Sequence, residues 1–301
     1  MTYNERRTCF LQSDTVHHSS HTGIFIKVIK AHMFVKVKFA MLCQISEYVL
    51  YIHSFVVDAM SSRVMQLCKK QFCDDNGFEC HPFKIQWYND LADEHFHLDY
   101  DADALAILVL STPRMFSNFF LPWLKQRELL FDSMKDPLDL CMKECASEIL
   151  ELLPEDVVLI HDFDMWPNRR PKVLMNVAGH ASGAAFYYQR INVEIDPWDK
   201  HRRIAGVSIH PKYGGWFAFR FLFIFPSIVE PNLIQHFPVD LLNADDKIVD
   251  LLDKFNNSWR TAAFRDVIPV KERYDPRQME YFHTEPSRRK QLLKFWLQEI
   301  V

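Results

Sequence analysis

Five of the chain's seven glycines, Gly179, Gly183, Gly206, Gly214 and Gly215, lie between Asn176 and Trp216. Glycine permits tight turns and lets main chain approach a ligand or a packed neighbour closely. A chain that concentrates its permissive backbone in one stretch places its tightest geometry there. The same scarcity excludes two nucleotide-binding designs. With no GxGxxG and no GxxxxGK[ST] in the sequence, neither a dinucleotide fold nor a phosphate-binding loop is supported.

Length and composition set wide bounds. At 301 residues, 49% hydrophobic and 25% charged, the chain can form one large domain or two small ones with a substantial core. A net charge of −4 carries no basic surplus, so electrostatics do not suggest a nucleic-acid partner. Seven cysteines, an odd number, favour an intracellular protein with reduced thiols over a disulfide framework. Cys68, Cys73 and Cys80 lack the C-x-x-C pairs of a structural zinc site, and Cys141 and Cys145 sit on an apolar-periodic stretch, so inert buried thiols are expected and no metal site.

Residues 1–60 differ from the rest of the chain: a His/Ser/Thr-rich start, then apolar sequence broken by Lys27, Lys30, Lys36 and Lys38. They read as a disordered or non-native extension, with translation beginning at Met60 or Met65, and residues 61–301 as the functional domain. No uninterrupted apolar span of membrane length appears. Downstream, a helix is expected over Leu67–Asp75 with Gly77 as its stop, and an extended segment over His81–Tyr88. Ala104–Ser111 reads as a buried strand, followed by an aromatic helix over Pro113–Gln126, a helix from Pro137 to about Leu153 and a strand over Val157–Phe163.

Pro171 opens an expected helix reaching Arg190. Its middle turns carry Ala178, Gly179, Ala181, Ser182, Gly183, Ala184 and Ala185, so something packs closely on it: a neighbouring helix, or a flat ligand. Arg203–His210 and Trp216–Pro226 read as a hairpin joined by Pro211–Gly215. Helices over Asp245–Trp259, Pro276–His283 and Pro286–Gln298 complete the chain. The order suggests an α+β domain, an antiparallel-rich sheet surrounded by helices with a C-terminal helical cap.

Trp166-Pro-Asn-Arg-Arg-Pro-Lys172, His180-Ala-Ser-Gly-Ala-Ala-Phe-Tyr-Tyr-Gln-Arg190 and Ile209-His-Pro-Lys-Tyr-Gly-Gly-Trp216 with Arg220 resemble the cblC-type cobalamin-processing family, the methylmalonic aciduria and homocystinuria type C proteins. Phe83-Lys-Ile-Gln-Trp-Tyr88, Val109-Leu-Ser-Thr-Pro113 and Glu272-Arg-Tyr274 extend the resemblance from near Met65 to about Leu293. It implies a fold similar to flavin-dependent nitroreductases, a cytoplasmic location, and two activities on cobalamin: glutathione-dependent dealkylation and reductive decyanation by FMN or FAD reduced with NADPH. It also implies base-off binding of cobalamin, and a cblD-type trafficking protein and the methionine synthase system as partners.

Carried over from the resemblance, the cobalamin-lining positions are Asp162, Val173, Leu174, Met175, Asn176, Tyr187, Tyr188, Gln189, Ser208 and Phe219. Asn176 stands where the family often has Gln, Ser208 where a Cys occurs and Phe219 where Ile occurs. His180 is included as a pocket wall: Ala178 replaces the aspartate of the Asp-x-His-x-x-Gly motif, which removes the carboxylate that orients a cobalt-ligating imidazole. Arg220, Arg265 and Arg289 match the glutathione-binding positions, since a guanidinium fork holds a carboxylate bidentately; salt-bridge or surface roles are the alternative. Arg169, Arg170 and Lys172 form a basic cluster at an expected helix start, where a flavin phosphate is one occupant and a solvated turn the other reading. No side chain is expected to be the nucleophile. A non-catalytic cobalamin chaperone, and a flavin reductase that merely shares the fold, are the rival functions.

Overall fold

A strand with no polar face has to be covered on both sides, and Ala104–Ser111 is such a strand: all eight of its residues are buried. In the structure, a computed structural model that describes residues 59–154 and 156–299, this strand (β2) sits inside an antiparallel sheet. β1 (Phe78–Lys84) pairs with it on one edge and β6 (Ala218–Val229) on the other, with β3 (Val158–His161) beyond, in the order β1-β2-β6-β3. The reading of residues 1–60 as an extension falls, but for residues 59 and 60, outside the described residues.

β6 is the second interior strand, and its sequence alternates two apolar sets. Phe221, Phe223 and Phe225 face one core with helix α1 (59–71), helix α4 (Pro137–Ser147) and the C-terminal helices α7 (Pro276–His283) and α8 (Pro286–Glu299). Leu222 and Ile224 face the other, with helices α2 (Ile85–Asn89) and α5 (Met175–Ala181). Period-two alternation thus divides one strand between two layers of helices. Phe223 is fully buried, so truncation to alanine is expected to cost about 3–5 kcal/mol. A register shift between Val109 and Leu110 interrupts the β2–β6 ladder. It resets the alternation at Phe219 and Arg220, as bulges do.

A two-stranded ribbon, β4 (Phe186–Tyr188) with β5 (Val207–Ile209), packs Tyr188, Val207 and Ile209 against α6 (Asp245–Ser258) in a third cluster. Both α4 and α7 start on Asp-Pro. The carboxylates of Asp136 and Asp275 accept the backbone N–H groups of Asp139 and Gln278, and the proline supplies the first helical φ. The aromatic helix expected over Pro113–Gln126 forms as a π-helical turn, Phe116–Phe120, followed by helix α3 (Leu121–Gln126).

Several expected elements take another form. The helix expected from Pro171 to Arg190 is confined to α5: Pro171 forms an isolated bridge with Met165, and Gly183, at φ 74°, turns the chain into strand β4. The expected hairpin does not form, because β5 pairs with β4 and β6 enters the main sheet; the intervening turn closes only the bridge His210–Gly214. An almost wholly apolar β6 finds full cover only as an interior strand. The extended segment stops at Lys84, and the next five residues are helical. The first helix ends at residue 71, and Gly77, at φ 79°, caps a separate turn, Asp74–Asn76. Helix α4 ends at Ser147, short of Leu153.

Candidate functional site

A cleft of about 660 Å³ opens where α5, the β4–β5 ribbon and the start of the following loop meet, and Asn176, Tyr187, Gln189, Ile204, Gly206 and Phe255 line it. The ribbon sets which side chains face it. Tyr187 lies directly opposite Ser208 in the register, so both point to one face, while Tyr188 points to the other. Tyr188 is fully buried. Its hydroxyl donates to Asp240 Oδ1 at 2.7 Å and accepts the Leu241 and Leu242 N–H groups. Burial and the Asp240 carboxylate hold its phenol far above the ordinary value.

At the floor of the cleft, the Ser208 hydroxyl donates to Asn176 Oδ1 at 2.9 Å. Gly206 is required there, because a Cβ would lie 2.6 Å from the Tyr187 ring. Arg190, on the rim, is a structural hub: its guanidinium binds Asp196 and the carbonyls of Trp198, Asp199 and Arg202. The small residues of α5 answer neither to a helix nor to a ligand at their glycine. The Phe219 ring lies on Gly179, where an added Cβ would meet it at 2.2 Å.

His180 is neutral in this setting. Burial pushes its pKa below the ordinary value, and its Nδ1 accepts the Tyr187 backbone N–H at 3.1 Å, which puts the ring proton on Nε2. Val173 is buried behind α5, and the Leu174 N–H donates to the Tyr88 hydroxyl at 3.0 Å, fixing the entry to the helix. Met175 is its first residue. Asp162 stands apart, after β3, with its N–H on the Arg220 carbonyl. It keeps solvent-accessible surface, yet the protein crowding its carboxyl raises it to about 6 against the pull of Arg220.

The three arginines divide. Arg265 and Arg289 share a pocket of about 160 Å³ with Trp216, Tyr274 and Phe282. The Arg265 guanidinium lies 5.4, 5.0 and 5.1 Å from the ring centres of Trp216, Phe264 and Tyr274 and donates to the Gly215 carbonyl. Gly214 and Gly215 make that approach possible: a Cβ on Gly214, at φ 58°, would fall 2.3 Å from the Arg265 carbonyl. Arg289 donates to the carbonyls of Tyr281, Thr284 and Phe282, so it caps the end of α7. Arg220 lies outside this pocket. It is buried at the β6 register shift, its Nε donates to Ser111 Oγ at 2.7 Å, and its Nη2 has no partner among the described residues.

Among the basic trio, Arg170 stacks on Phe96 at 4.6 Å and donates to the His95 carbonyl. Lys172 lies 5.6 Å over Trp166. Helix α5 begins at Met175, three residues past Lys172, but it is only seven residues long, and of the trio only the exposed Arg169 is uncommitted. As a cradle for a flavin phosphate the trio fits poorly.

Glu79, His81 and His210 converge, a grouping that sequence reasoning missed because 131 residues separate Glu79 from His210. Glu79 Oε2 lies 3.2 Å from both imidazole Nε2 atoms, and Oε1 accepts the Tyr213 hydroxyl at 2.9 Å. The ligand atoms are close enough for a cation, but His210 Nδ1 accepts the Lys212 N–H at 3.1 Å. That directs the ring proton to Nε2 and onto Glu79, the reverse of what a metal-bound imidazole needs. Burial alone would raise Glu79; the hydrogen bonds from His210, His81 and Tyr213 outweigh it and hold the carboxyl well below the usual range. The cleft-lining Ile204 and Phe255 were also missed, since nothing in the local pattern brings α6 to the ribbon. Among the cysteines, burial pushes the Cys68 thiol up to about 12 and raises Cys141 and Cys145 further, so these are protonated, unreactive thiols.

A model of the methylmalonic aciduria and homocystinuria type C family matches residues 77–293. The chain is 45% identical over 218 residues to the chicken cyanocobalamin reductase / alkylcobalamin dealkylase, covering 72% of this chain and 90% of that protein. Identity to the human protein of the same name is 42% over 239 residues, 78% of this chain and 83% of that one. The crystal structure of a B12-trafficking protein CblC from Caenorhabditis elegans, described as a human MMACHC homologue, superposes with a TM-score of 0.75 at 33% identity. It covers 81% of this chain and 98% of that one.

Proposed function

The chain belongs to the methylmalonic aciduria and homocystinuria type C family, and on that premise we propose that it removes the upper axial ligand of cobalamin, dealkylating alkylcobalamins with glutathione and decyanating cyanocobalamin by reduction. It is an enzyme of the cyanocobalamin reductase / alkylcobalamin dealkylase class. The observation that carries the substrate assignment is the cleft beside α5, where Asn176, Tyr187 and Gln189 meet apolar walls in about 660 Å³. A hollow that sets apolar side chains beside several polar groups suits one edge of a corrin, whose ring is apolar and whose perimeter is polar.

Cobalamin binds base-off in this reading. His180, with Nδ1 occupied and its proton on Nε2, offers no lone pair to replace the displaced nucleotide base, so the lower face of cobalt stays open. Arg265 and Arg289, with Arg220 from the sheet, hold the carboxylates of glutathione, and their charge favours the thiolate. The sulfur attacks the alkyl carbon: the C–S bond forms, the Co–C bond breaks with its electron pair left on cobalt, and the thiol proton leaves to solvent. Binding and orientation are the protein's share of this chemistry. A reduced flavin would supply the electron for decyanation, but Arg169, Arg170 and Lys172 do not build its phosphate site. We extend the proposal to residues 61–301 as the processing unit, to a flavin-reductase/nitroreductase-like fold, and to a cblD-type trafficking protein and the methionine synthase system as partners.

A second reading, a carrier without chemistry of its own, is favoured by the name of the nematode structure, a B12-trafficking protein. An anaerobic absorbance titration of methylcobalamin with the full chain, followed by glutathione, separates them. A shift to the base-off spectrum and then formation of cob(I)alamin is expected. Binding without turnover would leave the carrier, and no spectral shift would remove cobalamin from both readings.

A further inference from the structure

Asn176 offers two chemically opposite ends, a carbonyl oxygen and an amide nitrogen, and which of them faces a ligand decides what the cleft selects. The oxygen is taken. Ser208 Oγ donates to Asn176 Oδ1 at 2.9 Å from a residue that is 6% exposed. The amide nitrogen has no partner among the described residues, while Asn176 itself lines the cleft. Ser208 is held in turn by its register with Tyr187 in the β4–β5 ribbon, so the hydroxyl comes from a fixed strand position. The Tyr187 phenol, on the same face of the ribbon and lining the same cleft, is likewise without a partner among the described residues.

We propose that Ser208 is a positioning residue that fixes the Asn176 carboxamide with its N–H groups turned into the cleft, so that the cleft recognises a ligand edge bearing carbonyl oxygens. The inference rests on the cobalamin reading and specifies it: the corrin perimeter carries primary amides, and their carbonyl oxygens are the acceptors these N–H groups meet. Without the serine hydroxyl the carboxamide turns freely and presents its oxygen as readily as its nitrogen. That forfeits a preorganised donor and leaves a hydrogen bond to be made at the expense of side-chain freedom.

The test is a double-mutant cycle in the full chain, read by absorbance titration with methylcobalamin and by thermal unfolding. Ser208→Ala is expected to weaken binding about fivefold to tenfold, and Asn176→Ala at least as much. The double variant should bind no worse than Asn176→Ala alone, because the serine acts only through the asparagine. Ser208→Thr retains the hydroxyl and should restore binding. Asn176→Asp keeps an acceptor for Ser208 but replaces the donors with a carboxylate, and binding should fall more than about tenfold with the unfolding midpoint unchanged. Wild-type affinity in Ser208→Ala, an equal loss from Ser208→Ala in the Asn176→Ala background, or wild-type affinity in Asn176→Asp overturns the proposal while leaving the substrate reading standing. Failure of the unaltered protein to bind methylcobalamin overturns both.

Discussion

The cleft beside α5 and the arginine pocket beside α7 hold their polar groups differently. In the cleft, only half of the Asn176 carboxamide is engaged by protein. In the pocket, Arg289 is bound to three backbone carbonyls and Arg265 is held by Gly215 and surrounded by three rings. The cleft leaves an amide donor open to a ligand, whereas the pocket's two cations are anchored to backbone carbonyls and keep further guanidinium donors and their charge for an anion. A ligand entering the pocket therefore gains chiefly from a carboxylate meeting fixed cations. One entering the cleft gains from shape and acceptors.

That difference makes the two regions separable by mutation, and the largest effect is expected at Gly214. Its φ of 58° and the Arg265 carbonyl, 2.3 Å from where a Cβ would lie, leave no room for a side chain. Gly214→Val should destabilise the protein by about 2–4 kcal/mol in urea unfolding and abolish glutathione-dependent turnover, with methylcobalamin affinity within about twofold of wild type in the folded fraction. Arg265→Ala comes next: turnover should fall at least about tenfold through a raised KM for glutathione, again with cobalamin binding intact. If either variant loses cobalamin binding in proportion to turnover, the two regions form one site and the comparison fails.

Glu79 supports the turn that carries Gly214, through His210 and Tyr213. Glu79→Gln should cost about 1–3 kcal/mol at neutral pH, because a half-buried charge-assisted network loses its charge and one of its two acceptor oxygens. The sign with pH comes from the lowered carboxyl. Its contribution is present above the ordinary carboxylate value and disappears as the pH falls through that value toward its own. The stability difference between Glu79→Gln and wild type should therefore shrink below about pH 4, as tracked by urea midpoints across the acid range.

How much of this was legible in the sequence depended on how local the cause was. β2 declares itself by an unbroken apolar run, and α7 by Asp275-Pro276. The small-residue stretch misled because alanine and glycine spacing is compatible with a long helix; Gly183 in the left-handed region and the pairing of Phe186–Tyr188 with Val207–Ile209 are tertiary decisions. That error carried into the site. Read as helix, Tyr187 and Tyr188 are near neighbours on one surface; as strand they face opposite ways, and Tyr188 goes to the core. Asn176, Tyr187 and Gln189 do meet in the cleft, while the Glu79–His210 contact and the wall from Phe255 depend on how distant segments fold together.

Asp162 gives the smallest effect and the opposite sign to Glu79. Crowding by protein raises its carboxyl to about 6, so the folded chain binds its proton more tightly than the unfolded chain does. Stability contributed by that proton is present below the ordinary carboxylate value and is lost as the pH rises through about 6. Because Asp162 keeps an exposed surface, solvent screens the effect to a shallow slope. Asp162→Asn should remove it, flattening the unfolding midpoint between about pH 4 and pH 6 while leaving the acid loss of the Glu79 network in place. An unchanged slope would mean that Asp162 is solvated like any surface carboxylate, and that the face of β3 beside Arg220 is not the desolvated wall its neighbours make it.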